Sequence, residues 1–399
     1  MEKRRIYMDY SATTPVKKEV VETMMPYLTD YFGNASSFHS FGREAKEALD
    51  KARSQVASLI NANPNEIYFT AGGTESDNWA IEGVAFAHRN KGNHIITSKI
   101  EHHGVLHPCE YLEKHHGFEV TYLDVDSEGR VDLEQLKNSI KDTTILITIM
   151  FANNEIGTIQ PIKEIAEIAK EHKIIFHTDA VQAAGNINID VKELGVDLMS
   201  MSSHKIYGPK GIGALYIKRG TKLHTFVHGG AQERKRRAGT ENIPAIVGYG
   251  KAAEMAKENM DNHIETLTKL RTKLIDGILE RIPHTRVNGS LTHRLPGNVN
   301  FGFEFIEGEG ILLLLDMLGI AASSGSACTS GSLDPSHVLM AIGLPHELAH
   351  GSLRLSIGDF TTEEDIEYII DNLPKVIERL RSMSPLYETF VREQGQLNK

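Results

Sequence analysis

Between about residues 65 and 220 the chain alternates short apolar runs with longer amphipathic ones, and few folds accept that rhythm. The apolar runs read as strands: EIYFTA, NHIITSKI, EVTYLDV, TTILITIM, KIIFHTDA, DLMSMSSH and GALYIK. Between them lie helical patterns such as PIKEIAEIAKEH, where Ile162, Ile165, Ala166, Ile168 and Ala169 recur at helical spacing. Near-continuous apolar strands alternating with helices imply an α/β fold, a mostly parallel sheet covered by helices on both faces. In such sheets, sites collect at the carboxyl ends of the strands.

Beyond about residue 243 the texture changes. A long helical stretch, 243–282, leads into shorter strands (RVNG, NVNFGF, SLRLSIG) and further helices, the pattern of a smaller α+β domain. The expected division is a large domain over 15–260 and a small one over 261–399, completed by 1–14 and carrying a cysteine loop at 323–332. GILLLLDMLGIAA is too short to span a bilayer and contains Asp316, so it reads as a buried helix. The N-terminal MEKRRIYMDYSATTP lacks the apolar stretch of a signal peptide. A net charge of −10 argues against general nucleic-acid binding, and the RKRR cluster at 234–237 reads as a solvated turn or a local anion contact.

Three strand ends carry chemistry. EIYFT runs into AGGTESDNWAIEG, where Gly73 and Thr74 open a helix whose free N–H groups suit an anion. The spacing is neither G-x-G-x-x-G nor Walker A, so no nucleotide is indicated. KIIFHTDA ends on Asp179, with Gln182 three residues on. DLMSMSSHKIYGPKG places Ser202, Ser203, His204 and Lys205 after another strand, and a lysine entering the interior becomes an imine-forming amine as its pKa falls. Each feature alone is more readily read as a cap, a turn or a core residue. Together they meet the needs of pyridoxal 5′-phosphate: a phosphate cradle, a carboxylate for the pyridinium nitrogen and a Schiff-base lysine.

The two cysteines, Cys109 and Cys328, form no CxxC, zinc pattern or disulfide framework, which suits a reducing cytoplasm. Cys109 reads as structural. Cys328 lies in SSGSACTSG, a Gly/Ser stretch expected to act as a mobile tether. The histidine pairs 102–103 and 115–116 lack a nearby ligand set, so no metal site is expected.

The sequence closely resembles the NifS/IscS-type cysteine desulfurases, class V aminotransferases among the fold-type I pyridoxal-phosphate enzymes. The likeness runs through YMDYSATTP, FGNASSFHSFG, TAGGTESDNWAI, IEHH, NNEIGTIQPI, HTDAVQAAG, SSHKIYGPKGIGALY, AGTENIPAIVG, SSGSACTSG and LRLSIGDFTTEEDI. It implies that Lys205 forms the Schiff base, that Asp179 pairs with the pyridine nitrogen and that His102 stacks on the ring. His102 is preferred over His103 because it directly follows Glu101. Gln182 and Asn154 would lie near the ring hydroxyl and the substrate. Gly73, Thr74, Ser202 and His204 would hold the phosphate, with Thr240 reaching in from the other subunit of a homodimer. Arg354 would grip the carboxylate of L-cysteine. Cys328 would take the sulfur as a persulfide, freeing L-alanine, and is a candidate transient cluster ligand. An iron–sulfur scaffold protein of the IscU/NifU kind, docking near the C-terminal region, would be the acceptor. Transamination, selenocysteine cleavage and a non-catalytic sulfur relay are the alternatives; the first has no need of a tethered Cys328, and the last has none of Lys205.

Overall fold

The computed structural model describes residues 4–324 and 335–397. Cys328 and most of the 323–332 loop lie outside the described residues. In chain order the strands are β1 Ile6–Tyr7, β2 Ile67–Thr70, β3 His94–Ser98, β4 Glu119–Leu123, β5 Thr144–Thr148 and β6 Ile175–Asp179. They continue with β7 Leu198–Ser202, β8 Gly213–Ile217, β9 Thr285–Val287, β10 Asn298–Phe303, β11 Ile320–Ala321 and β12 Ser352–Ser356.

The seven expected strands form one sheet in the order β2-β8-β7-β6-β5-β3-β4. Neighbours from β4 through β7 run parallel, whereas β8 is antiparallel to both β7 and β2. The GPKG turn returns the chain too quickly for a parallel crossover, which needs a dozen residues or more, so β8 folds back. Buried strand residues alternate between two apolar clusters, one on each face. Ile96, Ile147, Met199 and Met201 join Ile162, Ile165 and Val247. Ile95, Leu146 and Leu198 join Trp79, Val84 and Val105 on the other face. This period-two partition is what a sheet buried on both sides requires.

The expected single helix over 243–282 is two, Ile243–Glu258 and Met260–Arg281, broken at Asn259. Beyond it, β12-β10-β9 form an antiparallel sheet and β1 pairs in parallel with β11. Val299, Phe301, Leu353 and Leu355 pack with Leu274, Ile278, Ile369 and Leu373, and with Ile6 and Met8 from the N-terminus. The helix expected to be buried, Gly308–Met317, buries Ile311 and Leu315 but leaves Leu313 and Met317 each 70% exposed. Its apolar run is longer than the face that packs, so composition overstated its burial.

The segment after β1 matters most for the site. Ser356 N donates to Met8 O at 2.7 Å. Ser11 N donates to Ser356 Oγ at 2.9 Å, and Thr14 N to His204 O at 3.0 Å. Residues 9–14 therefore form a strap from β12 to the end of β7.

Candidate active site

Lys205 sits in a short 3-10 turn, Ser203–Lys205, directly after the buried strand β7. Its ammonium donates to the carbonyls of Ser11 and Ala12 on the strap, the latter at 2.7 Å. Gln182 donates to the same Ser11 carbonyl at 2.9 Å, and His204 Nδ1 lies 3.1 Å from Thr13 Oγ1. Burial and the neighbouring Lys205 and Lys210 charges pull His204 down to about 4, so its ring is neutral.

Asp179 ends β6, and its Oδ1 accepts from Val181 N at 2.9 Å. Burial raises its pKa, while His102, the Val181 N–H and Lys205 oppose that rise. His102 caps the His103–His116 helix, its Nδ1 accepting from Gly104 N at 3.0 Å. Polar atoms of Asp77, His102 and Asp179 lie within 4.8 Å of one another. His103 turns away instead, stacked on His107 at 4.8 Å and 5.1 Å from His337. Of the doubled histidine, His102 is the one that faces Asp179.

Beneath Asp179 lies a layer the sequence reading missed. Asp77 is buried and held well above the carboxylate range, first by desolvation and then by the charge of Asp179. Behind it His177 bonds Thr148 Oγ1 through Nδ1 at 2.8 Å and Ser200 Oγ through Nε2 at 3.0 Å. Burial drives His177 down to about 3, so this layer adds no positive charge. The strap residues Asp9, Ser11 and Ala12 were missed as well, although YMDYSATTP carried them in plain view.

The Gly73–His88 helix begins beside β7: a Cβ at Gly73 would lie 2.6 Å from Val181 Cγ2 and 3.8 Å from Ser202 Cβ. Ser202 Oγ is buried without a hydrogen-bond partner among the described residues. An orphaned hydroxyl beside the free N–H groups of a helix start fits a phosphate. Around Gly72, with φ at 158°, a Cβ would meet nothing within 4 Å, which leaves the approach open. Thr74 is exposed at this helix start. Thr240 is exposed too, in a separate segment where Arg237 pairs with Glu75 at 2.8 Å. RKRR is thus in part a local anion contact.

Arg354, in the middle of β12, is buried, with Nη1 donating to Asn154 O at 3.2 Å. Asn154 therefore meets Arg354 through its backbone. Cys109 is fully buried and its thiol is pushed far up by desolvation, as a structural cysteine requires.

The family description Aminotransferase class-V matches residues 6–369. The cysteine desulfurase IscS of Methanosarcina thermophila is 61% identical over 385 residues, 96% of this chain and 95% of its own. That of Clostridium botulinum (strain Hall) is 59% identical over 395 residues, 98% and 99% of the two chains. Among solved structures, a NifS-like protein superposes with a TM-score of 0.89 at 38% identity, covering 94% of this chain and 100% of that one. The structure of SspA in complex with cysteine gives 0.78 at 39% identity, covering 90% and 100%. The mostly parallel sheet and the family match define a pyridoxal-phosphate enzyme of fold type I. The chain belongs to the class V aminotransferase family and, within it, to the cysteine desulfurases of the IscS and NifS type.

Proposed function

We propose that this cysteine desulfurase takes sulfur from L-cysteine onto Cys328 and releases L-alanine. The observation that carries the reading is the convergence of Lys205, Asp179 and His102 at the carboxyl ends of β6 and β7. Gly73, Thr74, Ser202 and His204 would hold the phosphate of pyridoxal 5′-phosphate, and Asp179 and His102 its ring. When bound, the cofactor supplies an electron-accepting ring that stabilises negative charge at the substrate Cα. Arg354 orients the substrate carboxylate, with Asn154 beside it. As the neutral amine, Lys205 Nζ takes up the Cα proton and later returns it, and the strap carbonyls of Ser11 and Ala12 accept from the ammonium formed in between.

The Cys328 thiolate attacks the substrate sulfur: an S–S bond forms as the Cβ–S bond breaks, and protonation at Cβ completes alanine. An iron–sulfur scaffold protein is the acceptor we infer for the persulfide, and a reducing cytoplasm the setting, since both rest on the same free thiol chemistry. The test measures alanine, sulfide and persulfide transfer to such a scaffold for wild type, Lys205→Ala and Cys328→Ala. Wild type is expected to make alanine and load the scaffold, and each variant to fail. Normal sulfide release by Cys328→Ala would overturn the role of Cys328, and an inactive wild type with cofactor bound would overturn the substrate.

A further inference from the structure

Arg354 is held with unusual completeness for a residue meant to receive a ligand. Its backbone is pinned to Ser323, N to O at 2.7 Å and the reverse at 3.3 Å. Its side chain is 4% exposed, and Nη2 donates to Asp9 Oδ1 at 2.9 Å. Nη1 is taken by the Asn154 carbonyl. Nε alone is buried without a partner among the described residues. A buried guanidinium needs a counter-charge and hydrogen bonds to offset its lost hydration, and Asp9 is the only acid within ion-pair distance of it among the described residues.

Asp9 is itself fixed. Its carbonyl accepts from Ala12 N at 3.0 Å and from Tyr7 Oη at 3.0 Å. Burial and the Asp9 charge push the Tyr7 phenol up to about 12, so it stays a neutral donor. The Asp9 carboxylate is 22% exposed, at the end of the strap whose next residues hold Lys205 and Gln182.

We propose that Asp9 is a positioning residue for the substrate carboxylate: it anchors one arm of Arg354 and so fixes the plane of the guanidinium, whose buried Nε–H has no partner among the described residues. The proposal rests on the reading that Arg354 binds that carboxylate. Two terms oppose each other at Asp9, the fixing of the fork and like-charge repulsion of the substrate. The fork is buried while Asp9 is partly solvated, so fixing outweighs the screened repulsion.

The experiment compares holoenzymes of wild type, Asp9→Ala, Asp9→Asn and Arg354→Ala. It reads kcat and KM for L-cysteine, and the calorimetric Kd of 3-mercaptopropionate, a thiol carboxylate with no amine. Losing a charge-assisted hydrogen bond, Asp9→Ala should raise KM and Kd about ten-fold while kcat stays within about two-fold. Asp9→Asn keeps an acceptor at Oδ1 and should show a rise of about three-fold. Asp9→Asn carries the test alone should Asp9→Ala not fold, and an unchanged KM and Kd in it would overturn the proposal. So would a fall of KM in Asp9→Ala, which would make Asp9 a competitor for Arg354. An Arg354→Ala that binds 3-mercaptopropionate normally would instead overturn the reading of Arg354 itself, a failure separable from that of Asp9.

Discussion

Glu101 is fully buried between His102 and the end of β5, and its neighbours determine what its ionisation costs. Its carboxylate accepts from Ser98 Oγ at 2.5 Å and from Met150 N at 2.9 Å. Desolvation nevertheless outweighs these bonds and raises its pKa from 4.5 to about 8, with the Asp179 charge adding to the rise. Between those two values the native state keeps a proton that the unfolded chain has lost. Native stability therefore falls as pH rises from about 4.5 to about 8 and is flat above that, by an amount on the order of a few kcal/mol. Glu101→Gln cannot titrate and its amide can still meet Ser98 and Met150. Its melting temperature relative to wild type should rise from pH 5 to about pH 8 and then level off when unfolding is followed by calorimetry up to pH 9. A difference independent of pH would show that Glu101 is ionised throughout.

At the scale of elements, the decisive junction is the end of β7 against the start of the Gly73–His88 helix. A hydroxyl with no hydrogen-bond partner among the described residues and a helix start with free N–H groups are each modest alone; facing each other, they suit a divalent anion. Ser202→Ala should weaken pyridoxal-phosphate binding about ten-fold, the worth of one hydrogen bond to a charged group, read by titrating apoenzyme and following the cofactor's absorbance. Unchanged binding would place the phosphate elsewhere. This junction was legible in the sequence because both halves sit beside strong local signals, the GGT turn and the SSHK after an apolar strand. The strands themselves were legible for the same reason, their burial on both faces leaving unbroken apolar runs. Asp77 and Glu101 were not, because a buried carboxyl reads like any surface acid until its strand neighbours are known. The reversal of β8 and the break at Asn259 escaped too. Apolar pattern fixes that an element exists, whereas direction depends on the length of the return and a helix break on a single residue's torsion.

At the scale of the whole molecule, one surface remains unexplained by the single chain. From Met25 to Phe41 the chain presents Leu28, Phe32 and Phe38 at 58%, 70% and 97% exposure, with the Phe32 and Phe41 rings 5.5 Å apart. A run of large apolar side chains left in water is what a subunit interface looks like before its partner is added. Thr240 is exposed as well, though the family resemblance assigns it to a phosphate site. Both observations are reconciled if two copies associate and each lends Thr240 to the other's cofactor, and we propose such a homodimer. Light scattering should then give twice the chain mass for the holoenzyme. The double variant Phe32→Asp, Phe38→Asp should fall to a monomer, because burying two carboxylates at an apolar interface costs more than the contact returns. The monomer should also lose cofactor on dilution more readily than wild type, and Thr240→Ala should share that loss while remaining a dimer. A monomeric wild type would overturn the homodimer, and a dimeric Thr240→Ala that holds its cofactor normally would detach Thr240 from the phosphate.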